Sequence, residues 1–268
     1  MSFDVDMNIL LRQILKFGLE RSARQSIHKY PQVVCFAHDG ISRKIMIDGL
    51  FEKPELLALK DFLLTEPYPR ETCLDIGGNI GNHALFFADL FGTVISFEPN
   101  MATFKVLSLN AELAENVSAI NVGISNTKAT KLAVMDPLNI GGSRISDSDA
   151  ASIEFNVVTL DEYLQSNAPR PISFIKMDVE GYELEALQGA SETLQKHQPM
   201  LALEFQVKKH KEKTDEIVAF LTAQGYSYAH IFKPKIFSRK KPCFMKIPLQ
   251  GFENYPPKNH KMVLFTFD

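Results

Sequence analysis

The sequence predicts an α/β fold, a mostly parallel sheet covered by helices on both faces. Two observations carry that expectation. Strand-like and helix-like segments alternate from about residue 72 to residue 224, the pattern of parallel strands joined by helical crossovers. Three glycines, Gly77, Gly78 and Gly81, separate the first strand from the following helix, as they do where a ligand closely approaches a backbone turn.

The elements follow in order. Thr72–Ile76 is a short apolar strand, and the stretch from about Ile80 to Phe91 is helical. Thr93–Phe97 is the second strand, followed by a helix over Met101–Leu113, and Val117–Val122 is the third. Ile172–Asp178 is the fourth, with a helix from about Tyr182. Met200–Phe205 is the fifth, with a helix over Thr214–Gln224. Lys261–Phe267, with Met262, Leu264, Phe265 and Phe267, closes the chain as a further strand.

About fifty residues separate the third strand from the fourth, longer than an ordinary crossover. Within them Lys131–Met135 and Phe155–Leu160 read as short strands around a Gly-, Ser- and Asp-rich stretch from Asn139 to Asp149. The interval 123–171 is therefore read as an insertion over the C-terminal edge of the sheet, where open α/β folds place ligands. Asn139–Arg144 is expected to be a loop closing over the site. Residues 1–66 are read as a helical and short-strand attachment, and residues 67–268 as the main domain.

Composition excludes several classes. With 45% hydrophobic and 23% charged residues over 268 positions, the chain is globular rather than disordered or fibrous. Its 29 basic and 32 acidic residues leave a net charge of −3, so no global field recruits nucleic acid, which is not expected as a partner. Two basic clusters, Lys208, Lys209, Lys211 and Lys213, then Lys233, Lys235, Arg239, Lys240 and Lys241, are read as solvated faces. Cys35, Cys73 and Cys243 are odd in number and far apart. A reducing, cytoplasmic setting is expected, without a disulfide framework or structural zinc. Near the N-terminus, Ile9, Leu10, Ile14, Phe17 and Leu19 form the apolar side of an amphipathic helix interrupted by Arg12 and Lys16. It is too short and too charged to span a membrane. It is expected to pack on its own domain or on a second copy, making a homo-oligomer.

The glycine turn narrows the ligand. Leu74-Asp75-Ile76-Gly77-Gly78-Asn79-Ile80-Gly81 leads from strand to helix, and the next strand ends in Glu98-Pro99. A carboxylate at that tip can accept both hydroxyls of a ribose. The glycines do not fit the GxGxxG spacing of a dinucleotide site, and Asp75 sits poorly beside a pyrophosphate. An acid suits a cation, and the order acid–glycine–acid favours S-adenosylmethionine over a nicotinamide cofactor.

Phe174-Ile175-Lys176-Met177-Asp178-Val179-Glu180-Gly181-Tyr182-Glu183 and Leu201-Ala202-Leu203-Glu204-Phe205 extend the pattern. Gly49-Leu50-Phe51-Glu52 and Val158-Thr159-Leu160-Asp161-Glu162-Tyr163 add to it. Together with the glycine turn and Asn82-His83, these motifs resemble the FkbM family of S-adenosylmethionine-dependent methyltransferases over about residues 45–206. The resemblance implies a Rossmann-like methyltransferase sheet of seven strands, the last antiparallel, and methylation of a hydroxyl on a sugar, glycan or natural product. Gly78 stands where the family usually has alanine, a change expected only to loosen the turn.

Methyl transfer from a sulfonium to a hydroxyl needs positioning and help in removing a proton. Asp178, at the end of the central fourth strand, is the leading catalytic candidate. Glu180 and Glu204 lie nearby, and His83 is either a proton acceptor or a side chain that orients the turn. The carboxylates would serve as a general base, or Asp178 and Glu204 would hold Mg²⁺ or a similar ion. For the cofactor, Asp75 is expected to address the methionine amino group and Glu98 the ribose. Gly77, Gly78, Asn79, Gly81 and Pro99 would shape the turn, and Gly123 to Ser125 would approach the adenine. The runner-up readings are a nucleotide-dependent oxidoreductase and a non-catalytic interaction module of the same fold.

Overall fold

Burial fixes the centre of the sheet. β1 (Thr72–Ile76) is buried at every position, as a strand covered on both faces must be. The computed structural model describes residues 9–37, 39–65, 68–136, 139–145, 153–167, 171–206, 211–234, 241–252 and 259–268. Before β1 come α1 (Ile9–Ser26), α2 (Gly40–Asp48) and α3 (Lys53–Thr65). After it come α4 (Asn82–Ala88), β2 (Thr93–Phe97), α5 (Met101–Ala111) and β3 (Val117–Ile120). The inserted stretch holds β4 (Gly123–Ile124), β5 (Ala129–Asp136), β6 (Asn139–Ile145) and β7 (Ile153–Val158), and α6 (Leu160–Ser166) leads out of it. The chain continues through β8 (Ile172–Met177), α7 (Glu183–Gln188), α8 (Ser191–His197), β9 (Met200–Gln206) and α9 (Lys211–Ala223). It ends with β10 (Tyr228–Lys233), β11 (Cys243–Pro248) and β12 (Asn259–Thr266).

The main sheet runs β11-β10-β12-β9-β8-β1-β2-β3. β1 pairs in parallel with β2 and β8, and β8 with β9. β12 is antiparallel to both β9 and β10, so the final strand has the expected direction. The sheet has eight strands rather than seven, because β11 adds an antiparallel edge to β10. Strand alternation feeds two cores. Leu74, Ile175, Leu201 and Leu203 pack on one face, and Cys73, Phe174, Met200 and Ala202 on the other. α3 belongs to the second core through Leu56, Leu59 and Leu63. α1 buries none of its residues.

Three local expectations change. No strand is found among the described residues of the first 66, where the structure is helices and connecting turns. Asn139–Arg144, expected as a loop, belongs to β6, and the insertion is a four-stranded sheet ordered β4-β7-β5-β6. The helix after the fourth strand is broken at Gly189, where a Cβ would overlap the Ser125 carbonyl oxygen. Lys208, Lys209, Lys235, Arg239 and Lys240 of the basic clusters lie outside the described residues.

Candidate active site

A cleft of about 280 Å³ opens over the C-terminal ends of β1, β2, β8 and β9. Its floor is the glycine turn. Gly77 has φ 82° and Asn79 φ 50°, and the N–H groups of Gly77 and Gly78 both donate to the Phe97 carbonyl, at 3.0 and 2.9 Å. A Cβ at Gly77 would overlap the Asp178 carbonyl oxygen, and one at Gly78 would overlap Ser96 Oγ. Gly78 is therefore not a mere loosening of the turn. It leaves room for the Ser96 hydroxyl, which donates to Asp75 Oδ2 at 2.9 Å. Gly77, Gly78 and Asn79 line the cleft. Gly81 lies behind them at the N-terminus of α4, and its absent Cβ makes room for Leu107.

Asp75 lies beneath the turn and is not among the residues that line the cleft. It is fully buried and stands opposite Lys176 in the β1–β8 register, with Oδ1 3.4 Å from Lys176 Nζ. That pairing and the Ser96 hydrogen bond tie it to the turn. Lys176 Nζ also donates to the Gly77 carbonyl at 3.3 Å and lies 3.7 Å from Asp178 Oδ2. Burial alone would lower the lysine's pKa, but Asp75, Asp178 and Glu52 outweigh it and hold the pKa above its ordinary value. The ammonium thus stays charged and joins the strand tips.

At one end of the cleft stands Glu98. Its Oε2 accepts the Asn79 N–H and its Oε1 the Asn100 N–H, both at 2.9 Å. Burial raises its pKa, while the Asn100 N–H, Thr103 and the Asn79 N–H pull it back. Asn121 Nδ2 donates to the carbonyls of Glu98 and Pro99 at 2.9 and 3.1 Å, which fixes the loop. Pro99, Gly123, Ile124 and Val157 add an apolar slot. Ser125 does not reach it: its N–H donates to Val158 O at 2.9 Å and the residue is fully buried behind β4.

At the other end, Asp178, Glu180 and Glu204 come together with Glu52 and His83. Glu204 is pushed up to about 8, first by burial, then by the charge of Asp178 and a hydrogen bond with it, then by Glu180 and Glu52. Glu204 therefore holds a proton more tightly than an ordinary carboxyl group and is hydrogen-bonded with Asp178. His83 Nε2 faces Glu52 Oε2 at 3.4 Å, and its ring lies near Phe51 and Phe87. Glu183 accepts the N–H groups of Val179 and Gly181 at 3.3 and 3.1 Å, which holds the turn that carries Glu180. Glu52, Asn79 and Glu180 have φ values of 53°, 50° and 52°, and all three line the cleft. Such backbone strain, about 1–3 kcal/mol per residue, collects at functional sites.

Among the described residues no group of three or more His, Cys, Asp or Glu side chains is arranged to hold a metal, so a divalent ion between Asp178 and Glu204 is not shown. Residue reasoning assigned no role to Glu52, Lys176 or Tyr182. Glu52 carried a signal, since it closes the Gly49–Glu52 motif.

The sheet with its antiparallel last strand, the glycine turn and the acid-tipped β2 define a Rossmann-like protein of the methyltransferase class. The Methyltransferase FkbM domain matches residues 75–228, more than half of the chain, and the chain belongs to the FkbM methyltransferase family. It is 33% identical over 135 residues to the hexuronic acid methyltransferase AglP of Haloferax volcanii, a match covering 50% of this chain and 55% of that protein. It is 27% identical over 151 residues to Methyltransferase 1 of Beauveria bassiana, covering 46% of this chain and 60% of that protein. The matches thus span little more than half the length of these curated relatives. The crystal structure of the FkbM methyltransferase of Methylobacillus flagellatus KT aligns over 96% of this chain and 60% of its own, at 16% identity and a TM-score of 0.45.

Proposed function

We propose that the chain is an S-adenosylmethionine-dependent O-methyltransferase acting on a hydroxyl of a sugar, glycan or natural product. The observation that carries this reading is that one cleft joins Glu98 to the neighbouring carboxyl groups of Asp178 and Glu204. The cofactor fits the residues present. Gly77, Gly78 and Asn79 line the cleft and present backbone to it. Glu98 accepts from the Asn79 and Asn100 N–H groups and from Thr103, and of a carboxylate's roughly four acceptor sites one is left for a ribose hydroxyl. The apolar slot suits an adenine. Bound there, S-adenosylmethionine would supply a methyl group on sulfur, whose carbon–sulfur bond breaks as the acceptor's oxygen–carbon bond forms.

The chain's own residues do the rest. Asp178 and Glu204, when both are ionised, take the hydroxyl proton and return to the singly protonated pair. A base with a pKa near 8 is well matched to that work. Lys176 holds Asp178 beside the turn, and the His83–Glu52 contact braces the wall opposite. That AglP is a hexuronic acid methyltransferase supports a sugar as the acceptor. Self-association belongs to the same reading, since α1 exposes Ile9, Leu10, Ile14 and Phe17. So does a cytoplasmic setting, in which Cys35, Cys73 and Cys243 remain free thiols. Among the described residues no helix is long and apolar enough to cross a membrane.

The test is transfer of a radiolabelled methyl group from S-adenosylmethionine to a panel of methyl glycosides. Label on the sugar, lost in Asp178→Ala, is the expected result. Binding of NAD⁺ with no methyl transfer would move the assignment to the oxidoreductase reading.

A further inference from the structure

The alternation of β5 is inverted at the cleft. Lys131 stands directly opposite Phe155 in the antiparallel β5–β7 register, so the two side chains share one face of the small sheet. That face is the inner one: Phe155 and Val157 are buried and line the cleft, and Ala133, two residues along β5, is fully buried with them. Leu132, on the outer face, is 50% exposed. A cation thus occupies an inward position while its apolar neighbour faces solvent, the reverse of what packing alone would select.

Lys131 Nζ lies 5.2 Å from the centre of the Tyr182 ring, and Tyr182 lines the cleft two residues after Glu180. From α9, a separate element, Lys213 Nζ lies 5.9 Å from the same ring. It donates to the Gly181 carbonyl at 2.9 Å and sits 4.0 Å from Glu185. Lys131 makes no ion pair among the described residues. Two ammonium groups therefore converge on one aromatic ring that lines the acidic end of the cleft, although neither lysine is itself among the lining residues. On the floor beside them Lys176 pairs with Asp75 and Asp178, while burial and its carboxylate neighbours raise the pKa of Glu204.

We propose that Lys131, with Lys213 across Tyr182, is the acceptor-specificity site, which recognises the carboxylate of an acidic sugar while a hydroxyl of that sugar meets Asp178. This rests on the methyltransferase reading above and narrows its acceptor to an anionic one. A single cation at a half-buried site attracts a carboxylate more strongly than it would in bulk water, and salt weakens the attraction.

The experiment titrates protein saturated with S-adenosylhomocysteine with methyl β-D-glucuronoside and, in parallel, with methyl β-D-glucoside. The expected result is at least tenfold tighter binding of the glucuronoside, a preference that shrinks as salt is raised. Lys131→Gln should erase the preference and Lys131→Arg should keep most of it. The affinity of each variant for S-adenosylhomocysteine reports whether the fold and cofactor end are intact. Equal affinities for the two glycosides, binding of neither, or a preference that survives Lys131→Gln would overturn the proposal. Failure of the wild-type protein to bind S-adenosylhomocysteine would instead overturn the methyltransferase reading on which it depends.

Discussion

Glu98 and Glu204 are the same residue type at the C-terminal edge of the same sheet, at opposite ends of one cleft, and their surroundings make them chemically different. Burial raises both. At Glu98 the N–H groups of Asn79 and Asn100 answer the negative charge, so it stays an acceptor. Around Glu204 stand Asp178, Glu180 and Glu52, and its pKa climbs to about 8. Hydrogen-bond donors make a binding carboxylate, and carboxylate neighbours make a base.

The largest expected effect breaks the Glu204 end. Asp178→Ala should lower methyl transfer by roughly 10²- to 10⁴-fold, the usual worth of a general base, while affinity for S-adenosylhomocysteine changes little; single-turnover rates and calorimetry separate the two. Gly77→Ala strikes the floor shared by both ends. With φ 82° and no room for a Cβ, it should cost about 3 kcal/mol of stability, read as a lower denaturant midpoint. Glu98→Ala breaks the other end and should weaken S-adenosylhomocysteine by roughly 10- to 100-fold, the scale of lost charge-assisted hydrogen bonds.

The smallest effect sharpens the comparison through pH. Glu204 has a folded-state pKa raised above its ordinary 4.5 to about 8, so the stability it contributes is full below about pH 4.5 and is lost as pH rises through about 8. Glu204→Gln removes that loss and should be more stable than wild type at pH 9 by about 1–2 kcal/mol, once partial solvent screening is allowed for. Thermal melts at pH 5 and pH 9 would show it. In wild type, transfer should rise with pH to about 8 and then level off.

What the sequence disclosed was local. The turn at Gly77–Gly81, the acid ending β2 and the acid ending β8 are contiguous with the strands that aim them, so a short stretch of chain contains both the residue and its direction. Asp75 was legible as an acid but not in its partner, because Lys176 meets it only through the β1–β8 register. Ser125 was legible as a residue past the third strand but not in its burial, because its N–H meets the Val158 carbonyl only through the β4–β7 pairing. The Lys131–Tyr182–Lys213 cluster draws on β5, the turn after β8 and α9, and no window of sequence holds all three. Asn139–Arg144 has the composition of a loop but pairs as a strand with β5.

The central claim is that the two carboxylates divide the work, and calorimetric titration with S-adenosylhomocysteine tests it most directly. The account predicts that Glu98→Ala loses most of its affinity while Glu204→Gln keeps it. Equal losses in the two variants, or retention in Glu98→Ala, would contradict it.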